Sequence, residues 1–129
     1  MNRRTFFEQL AAVTLSSVLA GSQEASGMWG MIAKITVVPG KREEMIAILK
    51  ESAADMPRCV SYVVAKDAAD ENLIWVTEMW DSIASHGASL SLPAVKNAMP
   101  RAKTIVTNFE KIAVTNPVWG VAVPAPHAH

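Results

Sequence analysis

CVSYVVAKDAADENLIWVTEMW, residues 59–80, holds the pattern on which the fold turns. Two runs rich in β-branched and aromatic residues, Cys59–Lys66 and Leu73–Trp80, flank a short polar link, Asp67–Asn72. A link that short makes the two strands antiparallel neighbours. Alternation puts Val60, Tyr62 and Val64 on one face of the first strand and Cys59, Ser61, Val63 and Ala65 on the other. In the second strand Ile74, Val76, Glu78 and Trp80 share a face, so a carboxylate sits in an apolar row. An isolated carboxylate there is costly unless it is paired or wet.

Working outward, Trp29–Val38 (WGMIAKITVV) reads as a strand stopped by Pro39-Gly40. Residues 41–56 switch to helical spacing, with Met45, Ile48, Leu49, Ser52, Ala53 and Met56 on one face, and Pro57 ends the helix. Downstream, Asp81-Ser82 can cap a helix over residues 83–91. Pro93 is placed to begin another helix towards Met99, which Pro100 limits or kinks. Residues 109–114 (FEKIAV) read as a fourth strand. The order β-α-β-β-α-β predicts an α+β, ferredoxin-like domain. Its helices cover one face of the sheet, yet the first three strands carry apolar or aromatic residues on both. A second copy packing sheet to sheet resolves the mismatch, so a homodimer is expected.

Of the 129 residues half are apolar and 19% are charged, and 12 Lys plus Arg balance 12 Asp plus Glu. That composition excludes intrinsic disorder and gives no electrostatic case for nucleic acid. Residues 1–26 are read apart from the domain. Arg3-Arg4 precede Phe6-Phe7, an apolar stretch from Leu10 to Ala20 follows, and small and polar residues close the segment. This is the layout of a twin-arginine export signal, and the apolar stretch is shorter than the ~20 residues a membrane-spanning helix needs. It implies a bacterial protein handed folded to the twin-arginine machinery and delivered to the periplasm or beyond. The alternative is an amphipathic N-terminal helix that stays attached. The expected organisation is a signal over 1–26, a domain over 27–114 and an extended tail over 115–129.

The single cysteine, Cys59, excludes an internal disulfide framework and reads as a small apolar strand residue. No P-loop, GxGxxG, GxSxG or HExxH occurs. One histidine, His86, lies inside the domain, while His127 and His129 lie in the tail, so no metal site is expected. Asp70-Glu71 read as a turn and Glu43-Glu44 as the favourable start of a helix. The cluster that carries chemistry is Trp75, Glu78, Trp80 and His86. A histidine returning over the sheet towards a carboxylate and an aromatic wall suits proton transfer on a flat, phenol-like ring. The competing reading makes both tryptophans core, pairs Glu78 with a lysine and leaves His86 on a helix surface.

At these residues the chain resembles the antibiotic biosynthesis monooxygenase family, small oxygenases with a dimeric α/β-barrel fold. The likeness runs from about Met28 to Val118. It rests on Val38-Pro39-Gly40-Lys41, on residues 56–62 (MPRCVSY), on residues 75–82 (WVTEMWDS) and on residues 89–95 (SLSLPAV). Arg58 stands where a glycine is usual, Pro100 falls inside the last helix, and His86 sits earlier than the histidine of many members. The resemblance implies oxidation of a quinol, anthrone-like or polyketide-like ring by O2, without metal or flavin. It further implies His86 as base or hydrogen-bond donor, Glu78 as its orienting partner, and Trp80, Tyr62 and Trp75 as substrate-binding residues. A haem-degrading branch uses an Asn, a Trp and a His; Trp80 matches its Trp, but no Asn lies on the first strand. The competing class is a non-catalytic dimeric module that binds a small aromatic ligand in the same place. The mature protein is expected to sediment as a dimer at micromolar concentration; a monomer there contradicts the sheet-to-sheet packing.

Overall fold

The computed structural model describes residues 27–120. The segment expected to be an export signal, His127 and His129 lie outside the described residues. Seven elements follow in order: β1 (Trp29–Val37), α1 (Arg42–Ser52), β2 (Cys59–Lys66), β3 (Leu73–Trp80), α2 (Ile83–Ser89), α3 (Pro93–Lys103) and β4 (Val106–Thr115). The strands form one antiparallel sheet in the order β2-β3-β1-β4, the ferredoxin-like α+β arrangement.

The central pairing is β1 with β3, in which Trp29 faces Trp80, Met31 faces Glu78, Ala33 faces Val76 and Ile35 faces Ile74. All eight are buried, and with Val37 of β1 and Val106 and Phe109 of β4 they line the face of the sheet beneath the helices. Met45, Ile48 and Leu49 of α1 and Val95, Ala98 and Ala102 of α3 close on it at the 3–4 residue spacing of a helix face. An Arg101–Glu51 ion pair of 2.7 Å joins the outer sides of these two helices. Both partners are about half exposed, so the pair adds little stability.

β4 begins at Val106, three residues before the expected strand, and two helix ends and one strand register also differ from expectation, each for a local reason. The helix after Gly40 stops at Ser52, whose hydroxyl donates to the Leu49 carbonyl at 3.0 Å, while Met56 still packs on the core from the following turn. Helix α3 continues through Pro100 to Lys103. Pro100 and Lys96 are exposed, so water can take the carbonyl that the missing N–H leaves free. Buried Val95, Ala98 and Ala102 hold the helix down on either side of the break. In β2 the pairing jumps from Cys59↔Trp80 to Ser61↔Met79, so Val60 is an extra residue in the ladder. The bulge turns Cys59 to the helix side with Tyr62 and Val64, where strict alternation had placed it opposite them.

Ahead of the bulge, Arg58 takes φ of +72°, a left-handed conformation that favours glycine. Its guanidinium reaches the Asp81 carboxylate at 3.2 Å, and its carbonyl accepts from the Asp81 N–H at 3.1 Å.

Among the described residues the other face of the sheet carries no helix. Lys34 lies over the Trp75 ring at 5.6 Å and pairs with Glu110 at 3.5 Å, and Val63 is half exposed. After β4 the chain has no regular structure through Gly120, with Val118 and Trp119 almost fully exposed. Its start crosses close to Gly30, where a Cβ would meet Thr115 Oγ1, the Glu78 carbonyl at 3.1 Å and Pro117 Cγ at 3.2 Å. The hydroxyl can rotate away but a backbone carbonyl in the ladder cannot. Gly30→Ala should therefore destabilise the fold by about 1–3 kcal/mol in urea unfolding; an unchanged midpoint contradicts that close approach.

Candidate active site

The candidate site lies where β3 ends and α2 returns over the sheet. Glu78 and Trp80, two residues apart, point to the same face, and the Trp80 indole N–H donates to Glu78 Oε1 at 2.9 Å. Ser82 then starts α2 in extended conformation, its hydroxyl accepting from the Ser85 N–H at 3.2 Å. One turn of helix brings His86 under this cap and against the sheet, where it is 2% exposed. Its Nε2 lies 3.8 Å from Glu78 Oε1, too long for a hydrogen bond but close enough for charge to be felt. Tyr62 pairs with Glu78 across from β2, and the Trp29 ring lies 4.4 Å from the imidazole.

A cavity of about 90 Å³ opens beside this group, between the sheet and α1, α2 and α3. Four methionines, Met31, Met45, Met56 and Met99, contribute to a wall that is otherwise mainly aliphatic. Tyr62, Glu78 and His86 stand on the same wall. Ser52 and Ser89 also border it, but their hydroxyls donate to the Leu49 and His86 carbonyls at 3.0 and 2.6 Å. The chemistry facing the cavity is thus one carboxyl, one imidazole and one phenol in apolar surroundings.

Burial sets the protonation of each. It raises the Glu78 carboxyl to about 7, against the smaller opposing effect of the Trp80 hydrogen bond. Burial lowers the His86 imidazole to about 4. At pH 6 the proton therefore resides on Glu78 and the imidazole is neutral, able to accept another. Burial, reinforced by Glu78, holds the Tyr62 phenol far above its ordinary range, so it is a hydrogen-bonding hydroxyl and not a base. Burial and then the Glu78 charge push the Cys59 thiol up to about 11, and its Sγ contacts the Ser61 and Met79 carbonyls. It is a packed thiol, as its apolar strand context implied.

The structure brings His86, Glu78, Tyr62 and Trp80 together and leaves Trp75 out. Trp75 projects from the opposite face of β3, where its indole N–H donates to Asp67 Oδ1 at 2.8 Å. Trp80 touches Glu78 and His86 but does not border the cavity, so it supports the acid–base pair rather than lining a pocket. Glu78 takes an indole as its partner, not a lysine, and His86 is buried rather than on the helix surface. Two contributors were not singled out in the sequence: Trp29, which shares a face of β1 with Met31, and the methionine wall. Among the described residues no group of three or more His, Cys, Asp or Glu is placed to hold a metal ion.

Comparison with known proteins agrees with this architecture. The sequence model of the family described as antibiotic biosynthesis monooxygenase matches residues 28–101. A candidate antibiotic biosynthesis monooxygenase from Chloroflexus aurantiacus is 44% identical, over 74% of this chain and 98% of its own, with a TM-score of 0.69. A candidate from Caulobacter crescentus superposes with a TM-score of 0.66 at 20% identity, over 78% of this chain and 99% of its own. One from Nitrosomonas europaea gives 0.67 at 10% identity, over 73% and 93%. These last two show the fold alone. No curated protein matches the sequence. The family match spans more than half the chain and includes β3 and His86, so the chain belongs to the antibiotic biosynthesis monooxygenase family.

Proposed function

We propose that the chain oxidises an electron-rich quinol- or anthrone-like ring with O2 in this cavity, with no metal or flavin taking part. The observation that carries the proposal is a buried, neutral imidazole beside a buried carboxyl at the end of an apolar cavity. Such a ring, once deprotonated, can pass an electron to O2 itself. The protein's part is to orient it, exclude water and take the proton.

His86 is the base. For an anthrone-like CH2 it removes one proton, leaving the electron pair on the ring. One electron passes to O2, and the resulting pair combines to form a C–O bond. Protonation gives a hydroperoxide. Loss of the second C–H proton with cleavage of the O–O bond then gives a ring carbonyl and water. Carbon is oxidised by four electrons, and O2 accepts all four. Glu78, when ionised, stabilises the imidazolium across the 3.8 Å gap, and Tyr62 supplies a hydroxyl to the ring's oxygen. In the same proposal a second copy covers the open face of the sheet, with Trp75 and Val63 in that contact.

Reduced quinols and anthrones incubated with the protein should consume O2 faster than in buffer. His86→Ala should lower the rate by about 10²–10⁴. No acceleration with any ring, alongside tight binding, identifies a non-catalytic ligand-binding module instead.

The buried pair also predicts a pH signature in stability. The folded Glu78 carboxyl, raised from 4.5 to about 7, contributes most below pH 4.5, and that contribution is lost as pH rises towards 7. The folded His86, lowered from 6.5 to about 4, does the opposite: stability is lost as pH falls from 6.5 to 4. Each effect is on the order of 3 kcal/mol, so they largely offset one another. Urea titrations of Glu78→Gln should show stability rising between pH 4 and 6.5, and those of His86→Gln should show it falling between pH 4.5 and 7. Profiles that track the unsubstituted protein in both variants would contradict the proton placement.

A further inference from the structure

A buried functional imidazole is ordinarily oriented by a hydrogen bond to the nitrogen that faces away from its chemistry. His86 lacks that device. Its Nδ1 is buried and has no hydrogen-bond partner among the described residues, although the residue is only 2% exposed. The contacts of its main chain, N–H to the Ser82 carbonyl at 3.4 Å and carbonyl to the Ser89 hydroxyl at 2.6 Å, place the backbone and not the ring.

What fixes the ring is aromatic. Trp29 lies against the imidazole with centroids 4.4 Å apart and planes inclined at 33°, and Trp80 meets it edge-on at 5.6 Å and 76°. Trp80 is itself locked by its bond to Glu78. The Trp29 indole N–H, by contrast, is buried and unpartnered among the described residues. Trp29 is therefore held by packing and by its register opposite Trp80. Neither tryptophan borders the cavity, and His86 and Glu78 do.

We propose that Trp29 is a positioning residue for His86: its ring fixes the imidazole plane so that Nε2 faces Glu78, while Nδ1 is left without a partner among the described residues. A ring contact constrains orientation without committing the proton to one nitrogen. The imidazole can thus change tautomer when the cavity is filled, which a hydrogen bond from Nδ1 to a carbonyl would resist. Glu78 of β3 and, on the same cavity wall, the Tyr62 phenol of β2 are the titratable groups beside this ring; α2 carries no other, and β1 presents Trp29. The kinetic consequence rests on the oxidation reading, but the ring geometry does not.

The test is NMR of His86 in the intact protein and in two variants. In the unsubstituted protein the His86 ring protons should be shifted upfield by the indole ring current. Trp29→Leu should remove the shift and move the imidazole pKa up towards 6.5. Trp29→Phe, which keeps an aromatic face and drops the N–H, should hold it low. In quinol oxidation Trp29→Leu should lower kcat about tenfold with little change in KM. Free-imidazole shifts in the unsubstituted protein overturn the proposal, as does a folded Trp29→Leu protein with unchanged shifts and pKa. Should Trp29→Leu not fold, an ordinary imidazole pKa in Trp29→Phe overturns it equally. Upfield-shifted ring protons in a protein that oxidises no ring sink the oxidation reading and leave the positioning role standing.

Discussion

The pairing of β1 with β3 is the constraint on which the rest depends. It sets Met31 opposite Glu78 and Trp29 opposite Trp80 on the face the helices cover. With that register fixed, a carboxyl must lie in the core, and a slip of one residue would turn the whole row to the other face. At neutral pH the buried carboxyl costs on the order of 3 kcal/mol through its raised pKa. Burying one tryptophan side chain of ~150–250 Å² returns about 4–6 kcal/mol. Trp80 is 0% exposed and also donates its N–H to that carboxyl. One side chain therefore both offsets the cost and gives the carboxyl its partner.

Much of this was legible in the residues. The bounds of β2 and β3 follow from alternation flanked by polar residues, and the Ser82 cap announces α2. The same alternation that joins Glu78 to Trp80 separates both from Trp75, so grouping Trp75 with the site put composition ahead of period. Cys59 was misplaced because a bulge is a property of two strands, and neither strand's own pattern records it. The course of α3 through Pro100 depends on which side of the helix meets water, which propensity does not state. The burial of His86 was open for a similar reason, since a seven-residue helix has too few apolar positions to declare its buried face.

The cavity's size bears on how such a site can work. About 90 Å³ is less than the ~150 Å³ that holds one benzene in a rigid aliphatic core. A quinol or larger ring therefore requires the wall to rearrange. The wall is built for that where it meets the helices: Met45 on α1, Met56 after it and Met99 on α3 are unbranched side chains with several rotatable bonds. The sheet side is the reverse, with Glu78, Trp80 and Trp29 locked by strand register and a hydrogen bond, and His86 of α2 held against them by ring contacts. For the proposed reaction, a rigid carboxyl–imidazole floor beneath a yielding apolar roof would let ring shape vary while His86 stays in place. In the oxidation we propose, selectivity would come from where the ring's acidic hydrogen falls relative to His86, and much less from the outline of the ring.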